Sequence, residues 1–134
     1  EAGGDAAFKG DLDGSGWLID VEDPCDAART LRTLRVRGGG VATSAPNRRR
    51  WRAAGGIAHH LVDPRFQRPA DSDLAQVTVM AASAELADVL AKTVFLLGSE
   101  AGAALIDRQP GVAAYLVPLA GRGRLVGDAE VADA

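Results

Sequence analysis

Cysteine, aromatic residues and long apolar runs are all scarce in this chain. Cys25 is the only cysteine among 134 residues, so no internal disulfide can form, and the count fits a reducing or an oxidising compartment equally well. Its setting, Glu22-Asp23-Pro24-Cys25-Asp26, offers carboxylates rather than the cationic neighbours that activate a thiol, and it is read as an inert small residue. Aromatics make up only 4% of the chain, against 47% hydrophobic residues overall. Ala, Gly and Arg dominate instead, a composition that remains globular. No apolar run approaches the roughly 20 residues a membrane-spanning helix needs. The net charge of -3 argues against a general nucleic-acid binder. The length suits one domain with a modest core.

Turn chemistry and periodicity divide the chain. Ala6–Lys9 and Trp17–Val21 read as strands flanking the Asp/Gly-rich turn 11–16. Asp26 is placed to cap a short helix over Ala27–Leu34. The triple glycine 38–40 allows a backbone or ligand to come close, and Val41–Ser44 follows it. Arg49–Ala53 and Ile57–Val62 read as a hairpin turned at Gly55-Gly56. Asp63–Pro69 reads as a loop, since each proline removes a backbone donor. Val77–Met80 is a strand by its β-branched residues.

The strongest helix is Ala84–Leu97, capped by Ser83, with Leu86, Leu90, Thr93 or Val94, and Leu97 as its buried stripe. Gly98 ends it, and Ser99 is placed to cap a second helix through Asp107. Val112–Leu119 and Arg124–Val126 are returning strands, and the tail from Asp128 is expected to fray. The sum is an α+β fold, a mainly antiparallel sheet with two or three packed helices.

Three groups of residues could carry chemistry. His59-His60 are the only histidines. Neighbours on a strand face opposite ways, so one of the two faces any given site, and joint metal ligation with Asp63 is disfavoured. Asp88 and Lys92 lie four apart on one helix face; as a solvated ion pair they are worth about 0.3–0.5 kcal/mol. Arg48–Arg52 forms a basic cluster around Trp51. On a strand its charges alternate between faces, which favours a solvated edge over a nucleic-acid patch.

Taken in order, these segments resemble one family. Ala2-Gly3-Gly4-Asp5 is similar to the Gly-Gly-Asp strand of ApbE proteins, the FAD:protein FMN transferases, and Val41-Ala42-Thr43-Ser44 resembles their Val-Ala-Thr-Ser-Gly segment. His59–Pro64 with Arg65 and Pro69 resembles His-His-Ile-Ile-Asp-Pro-Arg-Thr-Gly-x-Pro. Val77-Thr78-Val79, then Ala87–Lys92 and Phe95–Gly98, resemble Val-Thr-Val, Ala-Asp-Ala-Leu-Ala-Thr and Phe-Val-Leu-Gly. The resemblance implies a tunnelling-fold-like arrangement, FAD as substrate with Mg²⁺, and transfer of FMN to a Thr or Ser of an acceptor protein. It implies His60 at the pyrophosphate aiding proton transfer, Thr43 and Ser44 lining the flavin site, Leu61 touching FAD, and Asp88 as a Mg²⁺ ligand. Within the family, an FAD pyrophosphatase or a non-catalytic flavin-binding homologue are the alternatives.

Three departures from the family pattern bear on this. Lys92 stands where the family has a Thr metal ligand, and an ammonium donates but cannot coordinate a metal; it is expected to substitute partly for Mg²⁺. Ala45-Pro46 and Phe66-Gln67 replace Gly and Thr-Gly, with a reshaped flavin pocket as the expected result. The matched segments are those of the family's C-terminal half, so the N-terminal half, with much of its FAD contact, is expected to be absent and these residues alone to be inactive.

Overall fold

The computed structural model describes residues 4–10 and 13–127. Ala2 and Gly3 of the first motif, Asp11 and Leu12 of the first turn, and the tail from Asp128 lie outside the described residues. In chain order the strands are β1 (Ala6–Phe8), β2 (Trp17–Glu22), β3 (Thr30–Val36), β4 (Gly39–Ser44), β5 (Arg50–Ala53), β6 (Gly56–His59), β7 (Val62–Asp63), β8 (Arg68–Pro69), β9 (Leu74–Ala81), β10 (Ala113–Pro118) and β11 (Arg124–Gly127). The helices α1 (Ala84–Leu97) and α2 (Ser99–Ile106) lie between β9 and β10, and a single 3-10 turn, Pro46–Arg48, precedes β5.

Five strands form one antiparallel sheet in the order β1-β4-β9-β10-β11. Alternation along its central strands sorts side chains to two faces. Ala42, Val77, Val79 and Ala81 pack against Ala87, Leu90, Ala91, Val94 and Phe95 of α1, with Ala103 and Ile106 of α2. Val41, Met80, Ala113, Tyr115 and Val117 point the other way, onto Val21, Leu34 and Val36 of the β2–β3 hairpin. The sheet is thus covered by helices on one face and by a hairpin on the other, as the α+β reading expects.

Several local expectations are corrected. The helix expected over Ala27–Leu34 is absent: Thr30–Val36 is strand β3, paired with β2 from Trp17↔Val36 to Glu22↔Thr30. Asp26 closes a turn instead, its carboxylate accepting from Ala28 N–H and its carbonyl from Arg29 N–H. Leu34 and Val36 are buried two apart, the period of a strand. Helix α1 also turns its stripe by one position. Ala87, Leu90, Ala91, Val94 and Phe95 are buried while Leu86 and Leu97 are exposed, because the two alanines let the helix lie close on β4 and β9.

The Asp63–Pro69 loop has paired ends, Val62↔Pro69 and Asp63↔Arg68; a two-residue edge ladder tolerates the missing proline donor. The expected strand through Val62 breaks after His59. The cap of α2 is not Ser99. Asp73, 26 residues away, accepts from the N–H of Ser99 at 2.8 Å and from its hydroxyl.

The glycines before Val41 serve a backbone contact. Gly39 has φ 89°, and a Cβ on Gly40 would overlap the backbone N and Cα of Ala84. β4 therefore runs directly beneath the first turn of α1, where Ser83 caps by accepting from Leu86 N–H. Gly40→Ala is expected to lower the unfolding free energy by about 2–3 kcal/mol, or to prevent folding, through overpacking against main chain that cannot yield. An unchanged urea midpoint would rule out that contact.

Asp73 gives a pH prediction. Hydrogen bonds from the side chain and then the backbone of Ser99 hold its carboxyl below its ordinary value of 3.8. A depressed folded pKa contributes stability that is present above the unfolded value and lost as pH falls through the folded one. The Tm difference between neutral pH and pH of about 2 should shrink in Asp73→Ala. A difference equal to that of the wild type would show that Asp73 carries none of the acid sensitivity.

Candidate functional site

Pairing between β1 and β4 ends at Ala6↔Val41, yet β4 continues to Ser44. A cavity of about 680 Å³ opens where β4 runs on alone beside β9, within the range of small-molecule sites. One wall comes from Leu18, Ile19, Asp20 and Glu22 of β2, with Asp5 beside β1. The floor is Thr43 and Ser44 of β4 with Gln76 and Thr78 of β9. Arg49, His60, Asp88 and Lys92 close the opposite side.

The floor is held by polar pairs across strands. Thr43 and Thr78 are directly opposite in register and their hydroxyls lie 2.9 Å apart. Ser44, on the other face of β4, is buried. The Gln76 side-chain amide donates to the carbonyl of Glu22 at 3.1 Å and fastens the hairpin to the sheet beside the cavity.

The two histidines separate as strand geometry requires. His59, at the end of β6, turns inward: its Nε2 donates to the Ala70 carbonyl at 3.1 Å and its ring stands edge-on to Phe95 at 6.2 Å. A carbonyl only accepts, so the proton sits on Nε2, and the buried Nδ1 has no protein partner. His60, just past the strand, is exposed and lines the cavity. Leu61 then returns to the core, 5% exposed, and its carbonyl accepts from Ala70 N–H at 2.8 Å. Leu61, expected to touch FAD, does not line the cavity: its side chain is core and its carbonyl is engaged by Ala70.

Asp63 shapes the chain just beyond. Its buried carboxylate accepts from the Arg65 N–H at 2.9 Å and from the Arg65 guanidinium at 2.6–3.2 Å. The Arg65 hydrogen bond holds the Asp63 carboxyl below its ordinary value. Phe66 carries the Arg65 and Arg68 guanidiniums at 5.5 and 5.4 Å from its ring centre. This turn fixes the path after His60 and contributes no side chain to the cavity.

Of the six residues singled out in the sequence, His60, Thr43, Ser44, Asp88 and Lys92 line one cavity, and Leu61 does not. Sequence reasoning proposed no site role for Thr78 or Gln76, and weighed Arg49 only within the basic run Arg48–Arg52. Thr78 was detectable as the lone polar residue between two valines of a core strand. Arg49 was hidden in a basic run whose remaining described strand members are exposed on β5.

The charge arrangement bears on a metal. Mg²⁺ takes oxygen ligands in octahedral geometry, commonly one or two carboxylates with phosphate and water. Asp88 is the carboxylate on the helix side, and its Oδ1 accepts from the Lys92 ammonium. A divalent ion on Asp88 would stand beside that ammonium. Like unit charges 4 Å apart repel by about 1 kcal/mol in water and about 4 at an effective dielectric of 20, and a double charge doubles this. Among the described residues no three His, Cys, Asp or Glu side chains gather. With the Lys92 ammonium on its carboxylate, Asp88 as it stands does not fit a divalent cation.

Comparison with known proteins matches this chain to one group. The sequence model of the ApbE family matches residues 1–116. A FAD:protein FMN transferase of Klebsiella pneumoniae is 31% identical over 102 residues, covering 75% of this chain and 32% of that protein. One from Treponema pallidum is 32% identical, covering 75% and 28%. The crystal structure of the ApbE protein from Thermotoga maritima superposes with a TM-score of 0.81 at 28% identity, over 94% of this chain and 41% of that one. The apo flavinyl transferase ApbE of Pseudomonas stutzeri gives 0.66 at 35%, over 94% and 39%. This chain spans about a third of the length of the curated relatives it matches.

The turn after His60 yields a direct test. Asp63→Ala should speed amide exchange at Arg65, whose N–H donates to the lost carboxylate, by about tenfold. Gln67, which donates to the Asp63 main-chain carbonyl at 2.8 Å, should change far less. Equal effects at both amides would mean that the whole turn, rather than one hydrogen bond, had been lost.

Proposed function

This chain belongs to the ApbE family, and from that premise we propose that it forms the phosphoryl-transfer side of an FAD:protein FMN transferase. The observation that carries the reading is the convergence of His60, Thr43, Ser44, Asp88 and Lys92 on one cavity. They come from β4, from the chain just after β6, and from α1. The relatives bear the name of that activity. The relatives' remaining length is where we place the rest of the flavin contacts, so the complete activity belongs to a site larger than these residues.

The proposed reaction joins an acceptor Ser or Thr hydroxyl to the riboflavin-side phosphorus of FAD. The new P–O bond forms as the bond from that phosphorus to the bridging oxygen breaks, and AMP leaves with that oxygen. The hydroxyl proton passes to the imidazole of His60, which is exposed on the cavity wall. His59 cannot serve, because its Nε2 is committed to Ala70 and its ring is packed on Phe95.

Charge that builds on the phosphoryl oxygens faces the cationic groups of Arg49 and Lys92 on the cavity wall. The Thr43–Thr78 hydroxyl pair offers a fixed donor and acceptor on the floor for the polar edge of the ligand.

The test uses the complete gene product with FAD and a protein bearing an acceptor Thr, reading flavin fluorescence on the denatured acceptor. A labelled acceptor is expected, with the rate reduced about 10²–10⁴-fold in His60→Ala. FMN and AMP released without a labelled acceptor would replace transfer by hydrolysis. Full transfer by His60→Ala would remove His60 from the mechanism.

A further inference from the structure

We infer that this cavity binds a diphosphate anion through side-chain cations alone, with the Lys92 ammonium standing where a divalent ion would otherwise act. The inference deepens the flavin reading and rests on it for the identity of the diphosphate.

Three cationic or protonatable groups reach the cavity from separate elements: Arg49 ahead of β5, His60 after β6, and Lys92 on α1. Three elements thus bring donors to the helix and loop side of the cavity, where an anion would meet all three. Lys92 is held four residues from Asp88 on a rigid helix, with its ammonium on the Asp88 carboxylate. An ammonium has three donors. One engages Asp88, which leaves two for phosphate oxygens without breaking the pair. Both side chains are partly exposed, 48% for Lys92 and 35% for Asp88, so an incoming anion reaches the ammonium through the open cavity.

Asp88 is then a positioning residue that fixes the ammonium and excludes a second cation by occupying the carboxylate. The other carboxylates of the cavity, Asp5, Asp20 and Glu22, lie on the hairpin and β1 side. Asp20 there accepts from the Thr33 hydroxyl at 2.6 Å. The cavity is therefore cationic toward helix and loop and acidic toward the hairpin, which orients a ligand with one anionic end.

The experiment titrates ADP and FAD separately into the complete gene product, with EDTA or with excess Mg²⁺, by calorimetry. Mn²⁺ binding is followed in parallel by its paramagnetic resonance signal. The wild type should bind both ligands with affinities that agree within about twofold in the two buffers, and should bind no Mn²⁺ at this cavity. Lys92→Thr should lose about tenfold or more in EDTA, recover with Mg²⁺, and acquire a Mn²⁺ site that Asp88→Asn abolishes. Lys92→Arg should keep metal-free binding, which separates charge from fold.

FAD and ADP binding that requires Mg²⁺ in the wild type would overturn this inference and leave the flavin reading intact. Lys92→Thr binding as tightly as the wild type in EDTA would also overturn it. Failure of both ligands to bind under either condition would overturn the flavin reading and this inference together.

Discussion

The close approach of β4 to the first turn of α1 is the constraint on which the rest of the structure depends. Gly40 removes the side chain that would hold the strand and the helix apart, and Ala87 and Ala91 do the same from the helix side. Interiors pack to near-crystalline density, so this contact sets the position of both elements at once. Residues four apart on a helix stack in a row, and the row Ala84, Asp88, Lys92 begins directly over Gly40. Four residues along β4 from that contact lies Ser44, and eight along the helix lies Lys92. Both reach the same cavity. A motif at the end of a strand and an ion pair in a helix, more than 40 positions apart in sequence, become one site because a glycine lets two backbones touch.

The elements legible in the sequence are those whose signals are local. Ser83 and Gly98 mark the ends of α1 by capping and by positive φ. The expected β5–β6 hairpin forms, with Ala53 paired to Gly56 so that the turn falls on Ala54 and Gly55, one residue earlier than expected. Where partners distant in sequence decide, local reading failed. Thr30–Val36 has no strong strand signature, and Asp26 suits a turn as well as a cap; pairing with β2 settles the matter. The cap of α2 comes from Asp73, which no inspection of residues near Ser99 would find. Leu86 and Leu97 read as core by hydrophobicity, yet the small size of Ala87 and Ala91 selects the face that packs.

The candidate site shows the same division. Motif order brought Thr43, Ser44, His60, Asp88 and Lys92 into view, and the fold places all five on one cavity. Thr78 entered only through register, as the strand neighbour of Thr43, and Arg49 only through the turn that leads from β4 into β5. Leu61 lies in the core for a physical reason: after a strand ends, the next apolar side chain goes where the core has space.

The paired histidines show how one short segment both anchors and exposes. β6 ends at His59, whose Nε2 proton is used by the Ala70 carbonyl and whose ring is fixed against Phe95. Ala70 also donates to the Leu61 carbonyl, so residues on both sides of His60 are tied to the same point on the far limb of the β7–β8 turn. That turn is itself locked by Asp63 and Arg65. His60 is the residue between two anchors, with its backbone position determined and its side chain directed into the cavity. In the proposed reaction the group that takes the proton needs a fixed location together with an accessible imidazole. A single histidine on a loop would supply freedom without position, and a histidine in the core position of His59 would supply position without freedom. Adjacent histidines at a strand end meet both requirements because consecutive side chains point apart.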